Sequence, residues 1–585
     1  ADGESEERVS FQELARPFRV FRGGIRPGPE GLVLRLGPVL GKVTDTTAVI
    51  LLEVGPPGGD ISLNVARALP ARHSESNPSE AVWASEPPFH AWQLESVDFA
   101  TGGSVSVCQI MEPGRPYSFA LEGLEPDTVY FAFIGGVCED DLRHRVARFR
   151  TLTQRVDTLR LLALSGHQPA EQDLGSKDPW SQLHEKACRG PEVQLVLHLG
   201  STVDVDPAAE EAAREMKEHG AFRLGLRREL ERRARDAMRG AFVAAWGGHE
   251  GLRRTLAEVG SHLPAFAPVV DLRPYLQRSA QAESLEERRA LLRLALDVSR
   301  EYQRALWQPG RGAGACVVRV DAGGGGSASA GTFHYREFWQ EAGPVSEMAA
   351  EEWHFHRYGL IGILVLDTKG SLLNSSGLGG KAGEAAGAGQ RPLLSLRQRD
   401  ALGRALKDRM MQVLIIASDT PFLLEPAAAP RDTAAGSSAE FAGASPLEWR
   451  SHAAELHALL EALFEWKSAQ YPDREVVLLS ASPGFGTTGD VCDHQLGLSI
   501  TTVLAGPVLG PGSPPGRWAL KGTLGGGRFS WSYRPPVEQC NFCAVDVDLS
   551  ASASGLGKPF VDVELVGAPA PAGASWPGGP LLALE

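Results

Sequence analysis

The sequence predicts the fold class α/β plus all-β: a β-sandwich followed by a larger domain in which strands alternate with helices. Its 585 residues exceed what one hydrophobic core usually holds, which favours two or more domains. Residues 31–153 contain short apolar segments separated by Gly, Pro and Asp, as in an all-β sandwich. From residue 158 onward, long segments of helical character separate the apolar ones, which indicates a layered domain of strands and helices.

Composition restricts the classes of partner. Hydrophobic residues make up 43% of the chain and charged residues 22%, which is ordinary for a globular protein. A net charge of −14 argues against nucleic acid and anionic membranes as partners. The longest apolar runs, such as Leu360–Leu366, fall far short of the roughly 20 residues that a membrane span needs. We therefore expect no nucleic-acid partner and no membrane span.

Cysteine usage predicts the redox setting. Seven cysteines in a chain of this length do not indicate a disulfide framework. Cys540 and Cys543 form a CxxC pair without a second pair at zinc-site spacing, so a zinc site is not predicted. We expect a reducing intracellular compartment, or an organelle lumen reached after removal of a targeting peptide. The first residue, Ala1, is consistent with such a removal and equally with a fragment.

The N-terminal part divides into an arm and the sandwich. Residues 1–30 are charged and then rich in Pro and Gly, and we interpret them as an arm. The segments Leu121–Gly136 and Ala147–Leu152 resemble the corner and last strand of fibronectin type III-like or Ig-like domains, with Tyr130 as the corner tyrosine or simply a half-buried aromatic. The predicted sandwich strands lie at Leu36–Val54, Val105–Ile110, Ser118–Leu124, Val129–Ile134 and Val146–Leu152.

The larger domain is predicted at residues 154–566. Low-complexity insertions rich in Gly, Ala, Ser and Pro lie near 322–331, 371–390 and 425–445, and a tail occupies 567–585. Buried strands are predicted at Thr158–Leu164, Val193–Leu199, Gly359–Leu366, Val413–Ala417 and Val476–Leu479. Helices are predicted at Trp180–Cys188, Pro207–Trp246, Glu283–Trp307 and Ser451–Ser468, and a terminal hairpin at Ala544–Leu549 and Phe560–Val566.

The loop after Val193–Leu199 is the first candidate site. Gly200 ends the apolar run, and Ser201, Asp204 and Asp206 follow it. In open sheets of parallel strands, ligands bind beyond the carboxyl ends of the strands. The loop therefore lies where chemistry is expected.

Several segments in order resemble the alkaline phosphatase D (PhoD-like) metallophosphatase family over residues 31–566. The resemblance implies a fibronectin III/Ig-like sandwich followed by a four-layer α/β/β/α metallophosphatase-like domain. In that family two metal ions, held by carboxylates and histidines on loops after the core strands, hydrolyse phosphate esters. The segments are Gly37–Val54, Leu161–Trp180, Arg300–Pro309, Arg357–Gly370, Leu393–Leu406 and Val413–Leu423.

Three ligand segments of the family have lost their donors in this chain. Ser201 stands at the position of the bridging aspartate and Asp204 at that of a tyrosine, while Asp206 is retained. The family's aspartates and histidine in the second segment correspond to Pro268, Val269 and Val270, followed by Asp271, and those in the last segment correspond to Ser482 and Gly484. Small or apolar side chains cannot hold divalent metals.

The leading hypothesis is a PhoD-like homologue without its dinuclear site and without a cofactor, which is not an enzyme. It would serve a binding or structural role with a protein partner, as a subunit of a larger assembly. The alternative is a divergent metal-dependent phosphomonoesterase or phosphodiesterase with a shifted site for divalent metal ions. That site would be built from His167, Asp204, Asp206 and Asp271, with Asp419 as a further donor.

Other histidines have simpler interpretations. His198 lies within a predicted strand and is expected to be a satisfied core residue. His354 and His356 alternate on a predicted strand and share a face, which we expect to be exposed rather than a metal pair. His249, in the segment Trp246–Glu250, lies where the resemblance places a join between two helices.

Overall fold

The chain forms a mixed α/β protein with extensive sheets. Its computed structural model describes residues 8–10, 32–69, 98–100, 105–137, 145–167, 179–189, 192–200, 203, 211, 214–215, 224–264, 282–308, 314–320, 352–369, 392–427, 448–469, 473–482, 484–509, 515–538, 540–553 and 557–567. The predicted arm is therefore described only at residues 8–10, and most of the predicted insertions and tail lie outside these ranges.

The N-terminal strands form two four-stranded sheets and a short pair. The strands are Arg8–Ser10 (β1), Leu34–Val43 (β2), Thr47–Val54 (β3), Gly59–Arg67 (β4), Asp98–Ala100 (β5), Val105–Met111 (β6), Pro116–Glu122 (β7), Val129–Gly135 (β8) and Val146–Arg150 (β9). One sheet has the order β6-β4-β8-β9. The other has β7-β3-β2, extended at β7 by the later strand Gly314–Arg319 (β13), while β1 pairs with β5.

The two four-stranded sheets bury a common apolar cluster. Ile50 and Phe119 from one sheet and Leu63 and Tyr130 from the other are almost fully buried in it. Full burial of one such side chain stabilises the fold by about 1.5–3 kcal/mol. The Tyr130 hydroxyl accepts a hydrogen bond from the backbone N–H of Glu125 at 2.9 Å, which ties the turn before β8 to this cluster.

Strand β13 joins this part of the chain from a distant point in the sequence. It runs parallel to β7, with Gly314 opposite Tyr117 and Arg319 opposite Glu122. The sequence did not predict this strand, because its few apolar residues lie between glycine-rich stretches. The sheet therefore combines residues from both predicted domains.

The remaining strands build two large sheets. One has six strands, in the order β12-β11-β10-β25-β26 with β21 beside β10, and the other has eight, in the order β14-β15-β16-β18-β20-β19-β24-β23. The strands are Thr158–His167 (β10), Leu195–His198 (β11), Ser261–Pro264 (β12), His354–Tyr358 (β14), Ile361–Val365 (β15), Val413–Ser418 (β16), Glu425–Pro426 (β17), Glu475–Ala481 (β18), Thr487–Asp493 (β19), Leu498–Ala505 (β20), Pro507–Leu509 (β21), Trp518–Ala519 (β22), Lys521–Leu524 (β23), Phe529–Tyr533 (β24), Asn541–Asp548 (β25) and Phe560–Gly567 (β26). The short strands β17 and β22 pair with each other. These positions confirm the predicted buried strands and the terminal hairpin.

The helices confirm most of the helical predictions. They are Pro179–Arg189 (α1), Leu224–Gly247 (α2), Glu250–Glu258 (α3), Ala282–Tyr302 (α4), Leu396–Lys407 (α5), Ala453–Lys467 (α6) and Ser550–Ala553 (α7), with 3-10 turns at Arg304–Leu306, Trp449–His452 and Pro515–Arg517. Gly248 and His249 separate α2 from α3, as expected for a join between helices. None of the helices within the described ranges combines the length and the apolar character that crossing a membrane requires.

Each large sheet buries both of its faces. Leu161 and Leu197 of the six-stranded sheet share one apolar cluster with Ile363, Ile415 and Leu479 of the eight-stranded sheet. On the opposite face of the six-stranded sheet, another cluster includes side chains of α1, α2, α3 and α4. On the opposite face of the eight-stranded sheet, a third cluster includes side chains of α5 and α6. Burial on both faces explains why these strands are continuously apolar.

A buried polar group ties the N-terminal strands to the helices. Glu53 on β3 is fully buried and accepts a hydrogen bond from the Tyr302 hydroxyl at the end of α4. Arg35 forms an ion pair with the same carboxylate at 3.0 Å. Burial raises the pKa of Glu53, although the Tyr302 hydrogen bond and the charge of Arg35 act in the opposite direction. The ring of Tyr302 stacks on Phe242 of α2 with centroids 4.4 Å apart. This stacking fixes the hydroxyl that binds the Glu53 carboxylate and so connects β3 to the helices.

Replacing Tyr302 with Phe should destabilise the protein by about 1–3 kcal/mol, because a buried carboxylate loses a donor. Urea unfolding of the Tyr302→Phe protein measures the change. The matched control is Tyr117→Phe, whose hydroxyl accepts a 3.3 Å hydrogen bond from the partly exposed backbone N–H of Glu112. The control should lose about 1 kcal/mol or less. Equal losses in the two variants would contradict the role assigned to Tyr302.

Candidate functional site

The candidate site comprises the carboxyl ends of the parallel strands. Strands β10, β11 and β12 run parallel in the six-stranded sheet, and β15, β16, β18 and β20 do so in the eight-stranded sheet. The structure describes His167, Ser482 and Gly484 at or just beyond such ends. Other positions predicted for the site lie outside the described residues, namely Ser201, Asp204, Asp206, Pro268, Val269, Val270 and Asp271.

His167 uses both of its ring nitrogens inside the protein. Its Nδ1 accepts a hydrogen bond from the Trp180 indole at 2.9 Å. The ring proton is therefore on Nε2, which donates to the carbonyl oxygen of Ala245 at 3.0 Å. The side chain is 1% exposed. This arrangement fixes a neutral imidazole under α1 and α2 and leaves neither nitrogen directed at a metal.

The turn after β18 uses Ser482 locally. The Ser482 hydroxyl accepts a hydrogen bond from the backbone N–H of Phe485 at 3.2 Å, and its own N–H donates to Ala505 at 3.0 Å. Gly484 has a φ of 137°, in the range where residues with a Cβ are strained. Phe485 is fully buried in a small cluster with Leu504. The Ser482 hydroxyl therefore stabilises the backbone of the turn, and position 484 favours glycine because any residue with a Cβ would be strained there.

Asn541 fills the space beside this turn. Its Oδ1 accepts a hydrogen bond from the backbone N–H of Gly506 at 2.9 Å, and its Nδ2 donates to Val537 at 3.4 Å. A Cβ on Gly486 would lie 2.1 Å from Oδ1, and one on Gly506 would lie 2.2 Å from Nδ2. An amide side chain, which is a weak metal ligand, is therefore packed between two glycines near the last predicted ligand segment.

Asp419 is the carboxylate at the end of β16, and it is fully engaged. Its Oδ1 accepts a hydrogen bond from the Thr368 hydroxyl at 2.6 Å, and its Oδ2 pairs with the Lys369 ammonium at 2.6 Å. The side chain of Asp419 is 1% exposed and that of Lys369 is 20% exposed. The sequence contains a signal for polar groups at the end of β15, because Asp367, Thr368 and Lys369 directly follow the apolar run of that strand. Their pairing with Asp419 required the order of the strands.

His198 belongs to a chain of buried imidazoles that the sequence did not predict. The Nε2 of His262 donates to the Thr255 carbonyl at 3.1 Å, so its Nδ1 accepts from the Nε2 of His198 at 2.8 Å. The remaining nitrogen of His198 has no hydrogen-bond partner among the described residues. Burial, followed by the neighbouring His262 and His167, holds the pKa of His198 well below its usual range. Burial lowers the pKa of His262 to about 4.

His354 and His356 are buried, so the expectation of an exposed face is wrong. The Nε2 of His354 donates to the carbonyl oxygen of Pro264 at 3.0 Å, so its Nδ1 accepts a hydrogen bond from the Nε2 of His356 at 2.6 Å. The reason is the Trp307 ring, which stacks on His354 at 4.6 Å. Burial lowers the pKa of His354 to about 3 and that of the neighbouring Lys42 to about 7. The pair is a neutral packing element between β14 and β12.

The described donors at the strand ends do not fit a dinuclear metal centre. The nitrogens of His167 and the oxygens of Asp419 already bind protein groups, and Ser482 and Asn541 carry no negative charge. Across the described ranges, no three side chains of His, Cys, Asp or Glu are placed to hold one metal ion. The strand-end residues that the structure describes thus offer fixed dipoles and neutral imidazoles rather than a cluster of anions.

By its fold class, the chain is a mixed α/β protein with two large sheets. No protein-family model matches the chain, and no curated protein sequence matches it significantly. Among solved structures, one described as "Structure of PhoD" is similar, with 11% sequence identity and a TM-score of 0.49. The similarity covers 88% of this chain and 84% of that one. A likeness at this level carries no argument about function.

The buried imidazoles predict a loss of stability in acid. The pKa of His262 is about 4 in the folded protein and 6.5 without the fold, so between these values only the unfolded chain binds the proton. The free energy of unfolding should therefore fall as the pH is lowered from 6.5 to 4. Each such histidine contributes a slope of up to about 1.4 kcal/mol per pH unit.

Urea unfolding of a His262→Gln variant between pH 7 and 4.5 measures this contribution. The slope should become shallower than in the parent protein, because the variant lacks a histidine that binds a proton only in the unfolded chain. His494, which is exposed, provides the control substitution His494→Gln. A parallel decline in all three proteins would show that His262 does not contribute to the acid sensitivity.

The backbone at Gly484 predicts a second effect. Gly484→Ala should cost at least about 1 kcal/mol of stability, because φ lies at 137°. Gly403 lies within α5 with nothing within 4 Å of a Cβ placed there, so Gly403→Ala should stabilise by about 0.5–1 kcal/mol. Thermal and urea unfolding compare the two variants. A neutral Gly484→Ala variant would mean that the turn accepts other residues.

Proposed function

We propose that this chain is a PhoD-like metallophosphatase homologue that has lost its dinuclear metal site and serves a binding or structural role. The observation that carries the proposal is the turn after β18. Where the resembling family has an aspartate and a histidine, this chain has Ser482, bound to Phe485, and Gly484 at a φ of 137°. The backbone itself has a conformation that a ligand histidine would adopt only with strain.

Two features support the finer description of the fold. The Tyr130 corner and the two four-stranded sheets are compatible with a fibronectin type III-like sandwich. The cluster shared by the six- and eight-stranded sheets, with helices on their other faces, is compatible with the four-layer α/β/β/α arrangement. Both features agree with the scaffold that the sequence resemblance implies.

The loss of the metal site is supported at several positions. In the sequence, Ser201 offers a neutral hydroxyl in place of a bridging carboxylate, which is a poor substitute for binding two cations. Pro268, Val269 and Val270 carry no donor side chains at all. In the structure, the imidazole of His167 and the carboxylate of Asp419 are bound within the fold. We therefore propose no catalytic step through metal ions.

A binding role follows from what the chain retains. The described strands of the large sheets and their helices share apolar clusters, while at the end of β18 Ser482 and Gly484 shape the turn instead of offering metal ligands. A scaffold kept without its catalytic donors is suited to presenting surfaces. We propose that the chain acts as a subunit of a larger assembly with a protein partner. Because the chain has a net charge of −14, the surface that the partner presents to it should not be strongly acidic.

Metal analysis combined with phosphomonoesterase and phosphodiesterase assays tests the proposal. The purified protein, supplied with Zn²⁺, Mn²⁺, Fe³⁺ and Ca²⁺ in turn, should retain less than one tightly bound ion per chain after gel filtration. It should also hydrolyse p-nitrophenyl phosphate and bis-p-nitrophenyl phosphate no faster than buffer. Two retained ions with turnover that chelation removes would overturn the proposal.

One variant separates the proposal from the alternative of a divergent hydrolase. Asp206 is the carboxylate that matches a ligand position of the family, so Asp206→Ala should abolish any activity of a shifted site. Activity that survives Asp206→Ala would remove that assignment, and activity lost with it would favour the alternative. Asp236→Ala, on the exposed side of α2, is the matched control for the loss of one surface carboxylate.

A further inference from the structure

A polar cavity of about 330 Å³ lies between the last strand of the N-terminal sheets and the six-stranded sheet. Arg148, Arg150 and Thr151 line it from the side of β9. Glu192 and Gln194 line it from the chain entering β11. Ligand sites are often found between domains and have volumes of about 300–1,000 Å³, so this cavity has the size for a small ligand.

The alternation of β9 directs two arginines at this cavity. Ala147 and Phe149 are buried in the apolar cluster of the N-terminal sheets. Arg148 and Arg150 are the alternate residues of the strand, so they face the opposite way and both line the cavity. The side chain of Arg148 is only 4% exposed, which is rare for an arginine. A strand that directs two guanidinium groups into one cavity can hold an anion there.

The carboxylate of Glu192 shows where an anion binds. Arg148 donates to its Oε1 at 3.1 Å, and Arg150 donates to its Oε2 at 3.2 Å. Asp127, the only residue other than glycine with a positive φ among those described, holds Arg150 from the side at 3.0 Å. Burial disfavours the charge of Arg150, but Glu192 and Asp127 outweigh it and raise its pKa. Arg150 therefore remains charged, and the two carboxylates fix its direction.

The rest of the lining limits the ligand. Val43, Val156 and Val193 supply an apolar wall that suits a short carbon chain. Glu258, on the far side, has its carboxylate held by His184 at 2.9 Å, which makes a second anionic group near it unfavourable. The side-chain N–H₂ of Gln194 is available as a neutral donor, since its oxygen accepts from the backbone of Arg160 at 2.7 Å.

From this geometry we propose that the cavity binds a small organic anion with one carboxylate or phosphate group. The anionic group would contact Arg148 and Arg150 at the place now held by Glu192, and the carbon skeleton would lie along the apolar wall. Glu192 would compete with the ligand, because its carboxylate occupies the same hydrogen-bond donors of Arg148 and Arg150. Glu192 belongs to the larger predicted domain, whereas the two arginines belong to the N-terminal sheets. Binding would therefore exchange a contact between the two parts of the chain for a contact with the ligand. This site is separate from the strand ends considered above.

Isothermal titration calorimetry with three probes tests the proposal on the full chain. The probes are inorganic phosphate, phosphoglycolate and propionate, which separate the phosphate from the carboxylate and the anion from its carbon chain. At least one organic probe should bind saturably at one site per chain. Arg150→Gln should weaken that binding about tenfold or more, since a charge-assisted pair is lost. Glu192→Gln should strengthen it several-fold by removing the competing charge.

Arg155→Gln is the matched control. Arg155 lies between β9 and β10, is 68% exposed and pairs with Asp157. It does not line the cavity, so this variant should bind the probes like the parent protein. Circular dichroism and urea unfolding check that each variant is folded. If Arg150→Gln does not fold, the affinity of the Glu192→Gln protein for the probes tests the proposal by itself. Absence of saturable binding for every probe, equal binding by Arg150→Gln, or weaker binding by Glu192→Gln would each overturn the proposal.

Discussion

The apolar layer between the two large sheets is the constraint on which the rest of the structure depends. Leu161 and Leu197 face it from one sheet, and Ile363, Ile415 and Leu479 face it from the other. Because side chains alternate along a strand, a register shift of one residue would turn each of these away from the shared layer and toward the helices on the other face. The layer therefore fixes which residues reach the ends of the strands. The polar groups at those ends are placed by the core rather than by the loops that carry them.

The fold was predictable where local pattern and global structure agree. Continuously apolar runs such as Val413–Ala417 and Val476–Leu479 indicated buried strands, because a strand covered on both faces has no polar alternate positions. Strands β19, β23 and β24 were not predicted, since polar residues alternate in them with apolar residues or glycine, and short segments of this kind resemble loops. Strand β13 was not predicted because its few apolar residues lie between glycine-rich stretches, and its pairing with β7 is set by tertiary contacts rather than by a local signal.

The site was harder to predict than the fold. The substitutions at Ser482 and Gly484 could be recognised from the sequence, but the use that the turn makes of them could not. The histidines show the same limit. Their spacing on β14 placed His354 and His356 on one face, yet only the position of Trp307 determines that this face is buried. Pairing between distant segments, as in Lys369 with Asp419, is information that spacing does not contain.

The parallel pairing of β13 with β7 has a consequence for synthesis on the ribosome. Chains emerge from the amino terminus, and domains generally fold as they become complete. Here the N-terminal sheet stays incomplete until Arg319 has been made, long after Glu122, its neighbour in the register. Until then the free edge of β7 exposes backbone groups that favour pairing with other chains. The edge of β7 is therefore a place where the nascent protein can pair wrongly until β13 has been made.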